Sequence, residues 1–270
     1  MPTTPVILLP PSEGKRSGGD GARWAAGSCS FPSLDRTRRQ VMTGLIAAMK
    51  EPEAARSKLL GVKGEALAAA TAENLAVRRA PTMAAIDRFT GVLYDALDAS
   101  SLPKRARTRL ATDVVIFSGV FGAVTATDPI PDHKLKMNAV LPGIGNISRQ
   151  WRAPLVDALT PMVSGRVLWN LLPGEHDNAW VCPTAATTRT MSVRFLDEQP
   201  RPARGPRSFT TVNHWNKLLK GALVRFILTT GADEPDALAG FTHPEGYVYD
   251  PTLTELVDDR VVIAMVRPRR

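Results

Sequence analysis

Two cysteines are all this 270-residue chain has. Cys29 and Cys182 lie far apart and match no metal-binding or redox spacing, so they read as two reduced thiols rather than a disulfide framework. No stretch reaches the roughly 18 consecutive apolar residues of a membrane span. The start has no basic leader, and its apolar run from Pro5 to Pro11 is too short for a signal peptide, so a cytoplasmic protein without membrane association is expected. There is no internal repeat and no clear linker, and one domain over 1–270 is expected. The four histidines, at 133, 176, 214 and 243, show no His-Glu-x-x-His or comparable pattern. No metal is therefore expected, and the residues leave any cofactor unknown.

What is present is core and positive charge. Hydrophobic residues make up 44%, enough for a sizeable buried core. Lysine and arginine outnumber the acids 34 to 26, giving a net charge of +8. Such an excess suits an anionic partner: nucleic acid, a phosphorylated metabolite or an acidic small molecule. The basic residues are scattered rather than massed, so a merely solubilised surface is the competing explanation. No protein partner is evident.

The first strand, Val6 to Leu9, stops at Pro10-Pro11 and runs into Ser12-Glu13-Gly14-Lys15. That loop can offer backbone N–H groups and one ammonium to an anion, although its glycine spacing is not that of a Walker loop. Residues 16–33 are rich in Gly, Ser and Arg and read as a flexible loop. A helix is expected from Leu34 to about Lys50, with Val41, Leu45, Ile46 and Met49 at helical spacing. A second helix follows Pro52, and a Gly61-Val62-Lys63-Gly64 turn leads into an Ala-rich third. Two glycines between helices resemble a helix-hairpin-helix, whose N–H groups sit over one DNA phosphate without reading bases. A plain tight turn explains the pattern equally simply. Lys63 stands at its tip, and Lys104 and Arg105 begin another basic helix; these three are candidate phosphate contacts.

The chain is organised around Val114 to Trp151. A buried strand, Val114 to Phe117, breaks at Ser118-Gly119. A Pro-rich turn at Asp128 to Pro131 leads to an expected short basic strand, Lys134 to Met137, and the turn Pro142 to Gly145 precedes a helix started by Asn146 or Ser148. A strand that ends at Ser-Gly and hands over to a polar loop is where open α/β sheets place ligands. Val167 to Trp169 makes a second such strand, ending at Asn170 and the loop carrying Glu175 and His176; as neighbours on a strand those two would face opposite ways. Near Asn213, a helix carries Lys217 and Lys220 on one face with Arg225 nearby. Cations at a helix start oppose its dipole by a few tenths of a kcal/mol each, a cost tolerable if an anion sits among them.

These motifs, taken in order, resemble the YaaA family of peroxide-stress proteins in its high-GC actinobacterial form. Leu8–Lys15 is similar to the family's opening strand and loop, and Phe89–Leu97 to its Phe-x-Gly-x-x-Tyr segment, which carries Tyr94. Ser118–Gly122 is similar to its Ser-Gly-Leu-Tyr-Gly, and Asn213–Gly221 to its Ser-x-x-x-Lys-x-x-Arg-Gly. The resemblance implies a single mixed α/β (α+β) domain with a central mixed sheet, flanking helices and a helix-hairpin-helix-like subregion at about 34–80. It also implies a basic cleft, duplex-DNA binding and a part in limiting iron-driven oxidative damage. The departures cluster at the expected site: Thr125-Ala126 for Arg-Pro, Lys134 and Lys220 for arginines, Asn138 for glycine and His176 for tyrosine. Arg to Lys keeps the charge but loses the bidentate fork.

Two functional expectations follow, and they leave open whether the protein is an enzyme. The first is a stress protein binding double-stranded DNA or another polyanion. The second is a specialised enzyme, of natural-product biosynthesis for example, acting on an anionic small molecule. In the second, Ser12, Lys15, Tyr94, Gly119, Lys134, Lys136, Asn170, Asn213, Lys220 and Arg225 would bind the ligand. Ser118, Glu175 or His176 would move protons, and a lysine such as Lys217 could act as nucleophile. Both require Lys15, Lys134 and Lys217 to converge on one hollow.

Overall fold

The structure, a computed structural model, describes residues 4–176, 178–183, 186–200, 206–212, 216–243 and 245–269. Strand β1 (Val6–Leu9) is buried at every position, as four consecutive apolar residues require of a strand covered on both faces. Its two following prolines cannot continue a ladder, and the chain leaves the sheet there. Next come helices α1 (Asp35–Ala48), α2 (Glu53–Leu60) and α3 (Gly64–Ala76). Short strand β2 (Met83–Ala84), α4 (Ala85–Arg88), α5 (Val92–Leu97) and α6 (Lys104–Asp113) follow. The central stretch supplies β3 (Val114–Ser118), β4 (Gly122–Thr125), β5 (Pro129–Ile130), β6 (Val140–Leu141), β7 (Gly145–Asn146) and α7 (Ile147–Val163). The remainder is β8 (Val167–Asn170), β9 (Arg189–Glu198), β10 (Phe209–Thr211), α8 (Asn216–Thr230), β11 (Val248–Tyr249), β12 (Glu255–Val257) and β13 (Arg260–Arg267).

These elements build a mixed α/β fold around one mixed sheet, ordered β11-β13-β9-β8-β1-β3-β4, with β10 on β9 and β12 on β13. The central strands are parallel: β1 pairs with β3 on one side and β8 on the other, and β8–β9–β13 continue in parallel. The added strands β4, β10, β11 and β12 are antiparallel. From β1 the chain goes first to one side, to β3, and later returns to the other, to β8. That reversal opens a crevice beyond the carboxyl end of β1.

Asn146 caps α7 by accepting the Arg149 amide at 3.1 Å, so the helix starts where Asn146 was expected to start it. The Pro142–Gly145 turn closes the β6–β7 hairpin just before it. Two expectations are corrected. Lys134–Met137 is not a strand: Asn74 Oδ1 accepts the Lys134 amide at 2.8 Å and Asn74 Nδ2 donates to the Lys134 carbonyl at 2.9 Å, so a side chain stands where a partner strand would. The 16–33 segment, read as a flexible loop, is pinned by two fully buried arginines. Arg88 donates to the carbonyls of Arg16, Gly18 and Ile130. Arg38 donates to the carbonyls of Ser30, Phe121 and Ala123 and to Asp35.

Candidate functional site

The crevice at the end of β1 is a cavity of about 480 Å³, within the range of small-molecule sites. Six segments close on it: the Pro10–Lys15 loop after β1, the start of α5, the loops after β3, β5 and β8, and the first turns of α8. Glycine makes two of these approaches possible. A Cβ on Gly119 would penetrate the carbonyl of Leu135, and one on Gly221 would penetrate that of Leu93. The bare Gly221 lets α8 press against α5, and Tyr94 and the α8 lysines line the same cavity.

Lys15, Lys134 and Lys217 all line this one cavity, together with Lys136 and Lys220. Their surroundings differ. Lys136 reaches Glu13 at 3.7 Å in an exposed pair. Lys15 lies over the Phe89 ring at 5.6 Å and donates to the Ser12 carbonyl at 3.5 Å. Burial pulls its pKa down to about 8, with Asp132 and Glu73 opposing the drop and Lys134 and Arg88 adding to it. Lys220 donates to the Leu171 carbonyl at 2.9 Å, and burial alone brings its pKa to about 8. Both amines thus hold a neutral fraction at mildly alkaline pH that an exposed lysine lacks.

Beneath the lysines lies a polar pair that sequence reading did not single out as a pair. Ser118 Oγ is 3.1 Å from His133 Nε2, and His133 Nδ1 is 2.9 Å from the Pro131 carbonyl. A carbonyl only accepts, so Nδ1 carries the proton and Nε2 accepts from the Ser118 hydroxyl. Burial of the ring, with Lys15 adding to the effect, holds its pKa down to about 3 and keeps it neutral. Ser118 Oγ also accepts the amides of Val120 and Phe121, at 3.3 and 3.2 Å, tying off the turn after β3. His133 left no spacing signal, being one isolated histidine between Asp132 and Lys134.

The other expected residues fall into two groups. Ser12, Tyr94, Gly119, Glu175 and His176 line the cavity. Ser12 Oγ is committed to the Gly14 carbonyl and the Thr90 amide. The Tyr94 hydroxyl donates to the Pro10 carbonyl at 2.8 Å, and burial raises its pKa well above that of a free phenol. Glu175 and His176 sit in a 3-10 turn, not on a strand; Glu175 is half-exposed, whereas His176 is buried against Phe117, with its Nδ1 3.9 Å from Glu175. Two residues are outside the cavity lining. Asn170 turns inward to accept the Leu172 amide, and Arg225 reaches the carbonyls of Leu97 and Asp98. Asn213 lies outside the described residues. Asn138, expected at the site as a departure from the family pattern, lines the cavity, and Glu13, which was not anticipated, lines it too.

The candidate phosphate contacts stand elsewhere. Lys63 is exposed at the turn between α2 and α3, where Gly61 ends one helix in the left-handed conformation. Lys104 and Arg105 are exposed on the first turn of α6. Among the described residues no cluster of His, Cys, Asp and Glu is arranged to hold a metal ion, and no helix is long and apolar enough to cross a membrane.

Comparison with known proteins places these features in a wider group. The model of the family described as "Peroxide stress protein YaaA" matches residues 6–253. A UPF0246 protein of Streptomyces coelicolor is 36% identical over 226 residues, 84% of each chain. A UPF0246 protein of Corynebacterium glutamicum is 33% identical over 264 residues, covering 93% of this chain and all of its own length. One of Hahella chejuensis is 28% identical over 222 residues, 78% of this chain and 83% of its own.

Proposed function

This chain belongs to the YaaA family of peroxide stress proteins, and from that premise we propose that it binds a small anionic molecule in the cavity at the end of β1, as its part in protection against peroxide. The observation that carries this reading is the convergence of five lysines on one hollow of about 480 Å³. In the described structure only Lys136 among them has a carboxylate within ion-pair distance, and that one is on the rim. The volume fits a metabolite and is too small for a duplex. Prolines 10, 11 and 173, with Leu93 and Met137, give the ligand an apolar wall beside the charged one. A carboxylate or phosphate held by Lys15, Lys134 and the exposed Lys217 would give the half-buried amines of Lys15 and Lys134 a counter-charge inside the cavity.

The test is thermal stabilisation across a panel of phosphorylated and carboxylated metabolites. At least one is expected to raise the melting temperature, and Lys217→Ala is expected to abolish the rise. A panel without a stabiliser, or a rise unaltered by Lys217→Ala, overturns the reading.

A second reading rests on a separate feature, the helical hairpin of α2 and α3 with Lys63 exposed at its tip. Together with Lys104 and Arg105 it supports sequence-independent contact with the phosphates of double-stranded DNA. Affinity would then fall steeply with salt, and Lys63→Glu would weaken it without touching metabolite binding. Absence of binding at low salt would remove this reading.

A further inference from the structure

We propose that Lys220 is a Schiff-base nucleophile and that the anionic ligand of the cavity is a small oxo acid, whose carbonyl carbon Lys220 attacks while its carboxylate rests on Lys217 and Lys15. The inference builds on the anion-binding reading of the same cavity and adds a chemical step to it.

The choice among the five lysines follows from their surroundings: Lys217 is exposed to water and Lys134 lies near the Glu73 carboxylate, which leaves three to compare. A nucleophilic lysine must lose its proton near neutral pH, and an adjacent carboxylate works against that. Lys136 has Glu13 at 3.7 Å. Lys15 feels Asp132 and Glu73, both of which favour its charged form. For Lys220 burial alone acts on the amine, and no described carboxylate lies within ion-pair distance. Its nitrogen makes one hydrogen bond, donating to the Leu171 carbonyl at 2.9 Å. A neutral amine can keep that bond and still present its lone pair, so the carbonyl orients the nucleophile without protonating it.

The partner group is set by position. Lys217 precedes Lys220 by three residues on α8, nearly one helical turn, and both line the cavity. A ligand whose carboxylate sits against Lys217 and whose next carbon is a ketone or aldehyde presents that carbon close to Lys220. The lone pair forms the C–N bond as the C=O π pair moves to oxygen. The two amine hydrogens then leave with that oxygen as water, giving the imine. No oxidant, reductant or metal is needed. Positive charge from the other lysines lowers the cost of the oxygen's developing negative charge.

The experiment treats the full chain with glyoxylate or pyruvate and then with borohydride, which reduces an imine to a stable secondary amine read by intact mass and peptide mapping. The expected result is a single adduct on Lys220, absent in Lys220→Arg and needing a several-fold higher oxo-acid concentration in Lys217→Ala. Acetaldehyde, which lacks the carboxylate, is expected to label far less. Label spread evenly over surface lysines, or unchanged in Lys220→Arg, overturns the proposal. If neither oxo acid is trapped while a carboxylate or phosphate still stabilises the protein, the nucleophile is refuted and anion binding stands. If nothing is trapped and nothing stabilises, both fall.

Discussion

Asn74 and Lys134, sixty residues apart in sequence, are joined by two hydrogen bonds between one side-chain amide and one backbone: 2.9 Å from Asn74 Nδ2 to the Lys134 carbonyl and 2.8 Å from the Lys134 amide to Asn74 Oδ1. Asn74 is fully buried on α3, so the helical subdomain grips the strandless loop that carries Lys134 and Lys136 into the cavity. Asn74→Ala is expected to cost about 1–3 kcal/mol by leaving buried groups unpaired. It should also weaken binding of any stabilising anion several-fold. Asn74→Asp keeps one acceptor but no donor, and it sets a negative charge near the cavity lysines. Denaturant melts with ligand titration separate the two effects; unchanged affinity in a folded Asn74→Ala protein would show that the loop does not depend on this clamp.

Gly221 touches the backbone of Leu93 so closely that any Cβ would overlap the carbonyl oxygen. Gly221→Ala is expected to force α8 away from α5, at a cost of about 1–3 kcal/mol for overpacking. Because Lys217 and Lys220 lie within about one turn before the contact on α8, the same shift should lower anion affinity. The mutation on a free helix surface would instead be stabilising, since alanine exceeds glycine in helix propensity by about 1 kcal/mol. The sign of the change in the urea midpoint therefore decides whether the helices are in contact.

Much of this arrangement could be read before the fold was known, and the exceptions have physical causes. Val6–Leu9 and Val114–Phe117 announce strands because a continuous apolar run bounded by Pro or Ser-Gly suits a strand buried on both faces. Lys217 and Lys220 were placed on one side of a helix by their spacing, and both line the cavity. Arg225 was grouped with them by proximity in sequence, yet five residues turn a helix by roughly 140° from Lys220, and Arg225 reaches Leu97 instead. The Lys-Leu-Lys-Met alternation imitates a strand's period of two, but no strand pairs with it. Periodicity reports side-chain alternation and cannot distinguish a partner strand from an Asn74 amide. Composition likewise does not set Arg38 and Arg88 apart from the other basic residues, since burial of a guanidinium among backbone carbonyls depends on contacts distant in sequence.

Arg38 tests that last point. It is fully buried, 2.9 Å from Asp35, and it serves three backbone carbonyls from two parts of the chain. Arg38→Leu is expected to lose about 3–5 kcal/mol because it removes the partner of Asp35 Oδ1, of the buried Phe121 and Ala123 carbonyls and of the part-buried Ser30 carbonyl. Arg38→Lys should recover only part of the loss, since an ammonium cannot span the same fork of acceptors. Chemical denaturation of both variants measures this, and full rescue by lysine would show that charge rather than geometry holds the segment.

The pH dependence of stability gives an independent view of Lys220. Its pKa is about 8 in the folded protein against 10.5 for an ordinary lysine, the shift arising from burial. Below about pH 8 the folded protein must keep a charged amine in a poorly solvated place, and the whole penalty opposes folding. Between about 8 and 10.5 the unfolded chain still binds the proton while the folded chain has released it, so this residue's contribution to stability rises with pH. Lys220→Met removes the penalty and also the hydrogen bond to Leu171. The variant is therefore expected to be more stable than the parent at pH 7, by on the order of 1–2 kcal/mol once partial exposure and the lost bond are allowed for. That advantage should shrink steadily towards pH 10. Because Lys15 titrates in both proteins, the difference between paired urea melts isolates residue 220. A gap that stays constant from pH 7 to pH 10 would mean that Lys220 keeps its ordinary pKa when folded.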